Sequence, residues 1–100
     1  MENIGILVFT NQKVLEHKKR DGKLSEGNYC YWKTSRFPKR FLENPNAEKR
    51  IYFAVKGQVK GYFIIHSCEE GELQFFSESW TEIKNGEKLK PSWGWRYYGE

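Results

Sequence analysis

No apolar run in this 100-residue chain comes near the roughly 20 residues that a helix needs to cross a bilayer. Neither a membrane-spanning helix nor a membrane partner is therefore expected. The opening Met-Glu-Asn-Ile-Gly-Ile-Leu-Val-Phe has no basic start, and its apolar stretch is too short for a secretory signal; both features point to the cytosol. Cysteine is scarce. Cys30 and Cys68 form no CxxC pair and have no histidine pair nearby, which makes a poor metal site, and a reducing cytosol argues against a disulfide. Two small buried or half-buried thiols remain as the reading. Histidine is just as sparse, with His17 in a basic stretch and His66 near the end of a strand, at no metal-ligand spacing. A P-loop, a dinucleotide glycine pattern and a nucleophile elbow are all missing. Glu69, Glu70 and Glu72 form an acidic turn beside Gly71 rather than in the desolvated cleft a general acid requires. No catalytic residue, cofactor or metal is expected. Repeats, linkers and low-complexity tracts are lacking too, and 38% hydrophobic content in so short a chain leaves room for one core, hence one domain over residues 1–100.

What is present is aromatic and basic. Aromatics reach 17% with four tryptophans, more than packing alone demands of a chain this small, so some should do more than fill space. The net charge of +4 comes from the first half of the chain, chiefly Lys13–Lys23 and Lys33–Arg40. A concentrated basic surface suits a polyanion, because each neutralised phosphate releases counterions; an ordinary solvated face is the competing reading.

Along the chain, Ile4–Thr10 reads as a buried first strand. Residues Asn11–Arg20 read as a helix stopped by Asp21-Gly22, or as a basic loop, since Val14 and Leu15 are its only apolar positions. Asn28–Lys33 has strand composition. Thr34-Ser35 can cap a short helix with Pro38 in its first turn, Phe37 and Phe41 on one face, and Asn44-Pro45-Asn46 at its end. Arg50–Ile65 reads as a hairpin. Ile51, Phe53 and Val55 alternate onto one face, and Val59, Phe63 and Ile65 onto one face of the returning strand. A two-residue Gly57-Gln58 turn would oppose Val55 to Lys60; a bulge at Lys60-Gly61 adds one residue and sets Phe63 against Phe53 and Ile65 against Ile51. Leu73–Ser77 is the next strand, Lys84–Pro91 a polar loop with an Asn-Gly turn, and Gly94–Tyr98 a closing strand. The expected fold is α+β: a small, mainly antiparallel β-barrel of five or six strands with one or two short helices.

The constellation that carries function joins Tyr31, Trp32, Lys33, Thr34, Ser35 and Arg36 to Trp93, Gly94, Trp95 and Arg96, with Lys39 and Arg40 alongside. Aromatic faces stack bases at roughly 1–3 kcal/mol each while nearby cations hold phosphates. Thr34 and Ser35 at a helix start would add donors for a phosphate. In an extended Trp93-Gly94-Trp95 segment both indoles project to one side. The plain alternative is that Trp32 and one of that pair plug the ends of the barrel. On the binding reading, Trp95 is a ligand contact and Trp80 is core.

The order of a first strand, a basic segment, Tyr31-Trp32-Lys33-Thr34-Ser35, the Arg50–Ile65 hairpin and a late tryptophan segment resembles the PUA-like superfamily, particularly its ASCH and EVE domains. Val59-Lys60-Gly61 is similar to the valine–x–glycine strand of those folds, and Tyr31-Trp32-Lys33-Thr34 looks like the early aromatic-threonine segment of EVE domains. The resemblance implies a cleft beside the barrel that takes RNA, DNA or a modified base or nucleotide. A few ASCH proteins are nucleases, or deacylate a modified nucleoside with a lysine, a threonine and a glutamate. Lys33 and Thr34 are adjacent rather than spaced as that pair, and no glutamate stands out as the third member. The resemblance thus implies binding more than catalysis, with a small hydrolase or nuclease and a protein-interaction module as the alternatives, in a monomer or weak dimer.

Overall fold

Alternation along three strands builds the protein. In β1 (Asn3–Thr10), Ile4, Ile6 and Val8 enter the main core while Leu7 faces the other side of the sheet, and all four are buried. The structure is a computed structural model that describes residues 3–69, 71–92 and 94–99. After β1 comes the helix α1 (Gln12–Asp21). The Asn11 side chain caps it, accepting from the Val14 N–H at 2.8 Å, and Lys18, Lys19 and Arg20 crowd its last turn, where the helix dipole favours cations. These end effects and buried Leu15 decide for a helix over a basic loop.

Then follow β2 (Cys30–Lys33), α2 (Lys39–Glu43), β3 (Glu48–Val55), β4 (Gln58–Glu69), β5 (Glu72–Phe75), β6 (Thr81–Glu82) and β7 (Trp95–Tyr97). The sheet runs β2-β5-β4-β3-β1-β7, with β6 also on β4. Every pairing is antiparallel except β1 with β3, which run parallel across a connection containing α1, β2 and α2. Twelve-residue β4 pairs with β3 along one edge and with two partners in succession along the other, β6 at Gly61-Tyr62 and β5 from Ile65 onward.

The hairpin differs from expectation in an informative way. The turn is Lys56-Gly57, one residue earlier, with φ of 52° and 79°; two successive positive φ values are the mark of a type I′ turn, which opposes Val55 to Gln58. A bulge does fall at Lys60, but from that starting register it opposes Phe53 to Gly61 and Ile51 to Phe63. The bulge also reverses the strand's faces, so Val59 does not share a side with Phe63 and Ile65. It joins Leu7, Tyr52 and Ala54 in a second cluster under Ile83, Leu89 and Tyr98.

A second register shift at His66 and the Lys60 bulge bend β4, and the sheet curls around Phe53, Phe63 and Phe75. It is not a closed barrel: among the described residues no ladder joins the end strands β2 and β7. Among the described residues seven strands form rather than five or six, and the Leu73 strand stops at Phe75 because Ser77–Ser79 turn into a 3₁₀ segment. Buried Ser77 ties that segment to α1. Its hydroxyl donates to the Lys18 carbonyl at 2.5 Å and accepts from the Gly22 N–H at 2.9 Å.

Candidate functional site

Among the described residues the end strands do not pair, and Arg36, on the segment leaving β2, meets Trp95 of β7. Thr34 makes the bend: its hydroxyl accepts from the Arg36 N–H at 3.3 Å and donates to the Arg36 carbonyl at 2.7 Å. Thr34 and Ser35 therefore shape a turn and do not cap a helix. Pro38 stands just before α2, which begins only at Lys39, because residue 37 precedes a proline and is kept out of helical conformation. Phe37 and Phe41 still pack into the core together.

Arg36 and Trp95 hold each other. The Arg36 guanidinium lies 4.2 Å from the Trp95 ring centroid and donates to the Trp95 carbonyl at 3.2 Å; the indole N–H donates back to the Arg36 carbonyl at 2.7 Å. The clasp closes one side of a cleft of about 250 Å³ lined by Trp32, Lys33, Thr34, Ser35, Arg36, Gly94 and Trp95. Five of the residues singled out in 32–40 and one of the late tryptophans are thus brought together. Trp93 lies outside the described residues.

Two placements add to the sequence reading. Trp95 is 8% exposed and belongs to the core, because inward alternation on β7 and the clasp both pull it in. Arg96, its neighbour, projects to the opposite side of the sheet, where its guanidinium is 5.9 Å from the Phe9 ring; it does not reach the cleft. Trp32 is half-buried, 5.4 Å from Phe53, and has both a core side and a cleft side. Trp80 packs on Phe63 at 4.9 Å, as core.

Two residues outside the predicted set, Lys18 and Tyr97, lie beside the residues that line the cleft. The Lys18 ammonium reaches from α1 to the Tyr31 carbonyl at 2.9 Å and sits 5.5 and 5.8 Å from the Tyr31 and Trp32 rings. Burial lowers its pKa, the nearby Cys30 opposing, while burial raises the Cys30 thiol. Tyr31 is 45% exposed beneath Lys33 at 5.9 Å. Tyr97, two residues from Trp95 and in edge contact with it at 5.0 Å, is 37% exposed. Its hydroxyl accepts from the Arg40 N–H at 3.0 Å, and the Arg40 guanidinium lies 5.1 Å over its ring. Tyr97 was legible from its two-residue spacing to Trp95. Lys18 was not, because nothing local places α1 over β2.

The electrostatics are of one sign. Among the described residues no ion pair engages Lys33, Arg36 or Lys39, and no carboxylate lines the cleft. Two larger clefts differ. One of about 340 Å³ between α1 and β4 mixes Glu16 and Glu82 with Lys19 and Lys60, so its charges balance. The other, of about 310 Å³ between α2 and β4, is lined largely by apolar groups such as Leu42 and Ile64. Among the described residues no cluster of histidine, cysteine or carboxylates is arranged to hold a metal. No protein-family model, curated protein or solved structure matches the chain.

Proposed function

We propose that the protein binds nucleic acid or a nucleotide through this cleft, with a base against Trp32 and phosphate oxygens on Arg36 and Lys33. The observation that carries the reading is Arg36. Its side chain is exposed yet held by stacking and one hydrogen bond to Trp95, so most of its five N–H donors stay directed to a ligand in a side chain already ordered. Lys33 and the Ser35 hydroxyl flank it. The cleft offers a lysine and hydroxyls without a carboxylate among the described residues, which favours binding over hydrolysis. The curled sheet, with its end strands bridged by the clasp, supports a PUA-like barrel in an open form, and two free thiols support a reducing, intracellular setting.

Salt dependence tests the reading. Wild-type protein should bind RNA or DNA oligonucleotides at low salt, with affinity falling steeply as salt rises. Lys33→Gln with Lys39→Gln should flatten the log–log slope by about 0.7–0.9 for each phosphate the variant no longer neutralises. Absence of binding at low salt to RNA, single-stranded DNA, duplex DNA and free nucleotides alike would refute it.

A further inference from the structure

Arg36, Trp95, Tyr97 and Arg40 form one unbroken row of contacts, the two rings meeting edge to face. Guanidinium to ring is 4.2 Å, ring to ring 5.0 Å, and ring to guanidinium 5.1 Å. The row starts at the cleft and runs along β7 to the first turn of α2, where Lys39 is exposed. Trp95 is only 8% exposed, but Tyr97 keeps 37% of its surface open at the far end. A lone nucleotide in the cleft would reach Trp32, Lys33 and Arg36 and leave Tyr97 and Lys39 unused.

Building on the nucleic-acid reading, we infer that the site takes a single strand of two or more nucleotides: one base enters the cleft and the next rests on the Tyr97–Arg40 step, its phosphate facing Lys39. Tyrosine faces and guanidinium planes both accept a base whatever its identity, and they require bases free of a partner strand. Duplex is disfavoured for that reason. An acidic peptide would satisfy the cations without using the rings, so it fits only half of the surface.

The test compares a mononucleotide, a trinucleotide in ribose and deoxyribose forms, a duplex and an oligoglutamate peptide, by calorimetry at low salt. The trinucleotide should bind about tenfold more tightly than the mononucleotide, the scale of one added stacked base. Tyr97→Ala should remove the difference between trinucleotide and mononucleotide. Tyr97→Phe should keep the gain, because it retains the ring and loses only the hydroxyl that accepts from Arg40. Lys39→Gln, an exposed change that does not threaten folding, should weaken the trinucleotide alone. Equal affinity for mononucleotide and trinucleotide, or a trinucleotide gain that survives Tyr97→Ala and Lys39→Gln, would overturn this inference while leaving the nucleotide site intact. Oligoglutamate bound as tightly as the trinucleotide would overturn it in favour of a peptide partner, and failure of every ligand to bind would remove it together with the reading beneath it. The two sugar forms then say which single strand is preferred.

Discussion

Gly61→Val separates two expectations for the same residue. Strand propensity alone favours valine over glycine by up to about 1 kcal/mol. The structure opposes it: β6 and Trp80 cross so close to Gly61 that a Cβ there would lie 2.6 and 2.7 Å from Cζ2 and Cη2 of Trp80 and would collide with the Thr81 carbonyl oxygen. The φ of 158° is also one that L side chains rarely adopt. The indole cannot simply retreat, because it is packed 4.9 Å from Phe63 in the core. Overpacking of this kind costs about 1–3 kcal/mol, and valine, with two methyls beyond alanine, belongs at the upper end. A net loss near 2 kcal/mol in a domain this size lowers the melting temperature by roughly 8–16 °C. Urea unfolding followed by tryptophan fluorescence should show a lower midpoint at an unchanged slope, with Gly61→Ala intermediate. If both variants matched wild type, neither the β4–β6 contact nor the bulge would constrain this position.

Three other outcomes follow from the same fold. Lys56→Asn should stabilise by about 0.5–1 kcal/mol, read as a rise in urea midpoint, since Lys56 holds a φ of 52° in a turn that asparagine suits better. Trp95→Ala should cost roughly 3–5 kcal/mol and threaten folding, whereas Trp95→Phe, keeping the packing and losing the hydrogen bond to Arg36, should cost about 1 kcal/mol; thermal melts distinguish this core role from that of a dispensable surface ring. Burial raises the Cys30 and Cys68 thiols above their ordinary 9.0, so the unfolded chain ionises first and stability should fall as pH climbs above about 9, an effect that Cys30→Ala and Cys68→Ala together reduce in melts across pH 8–10.5. Lys18, lowered by burial, acts in the opposite sense over that range, because its unfolded form holds the extra proton.

What the sequence determined by itself is local. Alternating Ile4, Ile6 and Val8 specify a strand, Asn11 starts a helix through one cap bond, and glycine at 57 and 61 marks a turn and a bulge, because each depends on residues only a few positions apart. The adjacency of Trp32, Lys33 and Arg36 made half of the cleft legible for the same reason. Tertiary structure decided the rest. Turning one residue earlier carried Phe63 from Phe53 to Ile51, a two-residue change of register that keeps the face, while the single inserted residue at Lys60 put Val59 on the far side of the sheet, since side chains alternate with a period of two and only an odd shift exchanges the faces. Parallel pairing of β1 with β3 joins segments some forty residues apart, and no local pattern announces it. The same long-range arrangement packed Trp95 against Arg36, turned Arg96 away, and set Lys18 against Trp32 and Tyr97 against Trp95, because each of those positions depends on which strand end or helix arrives beside it.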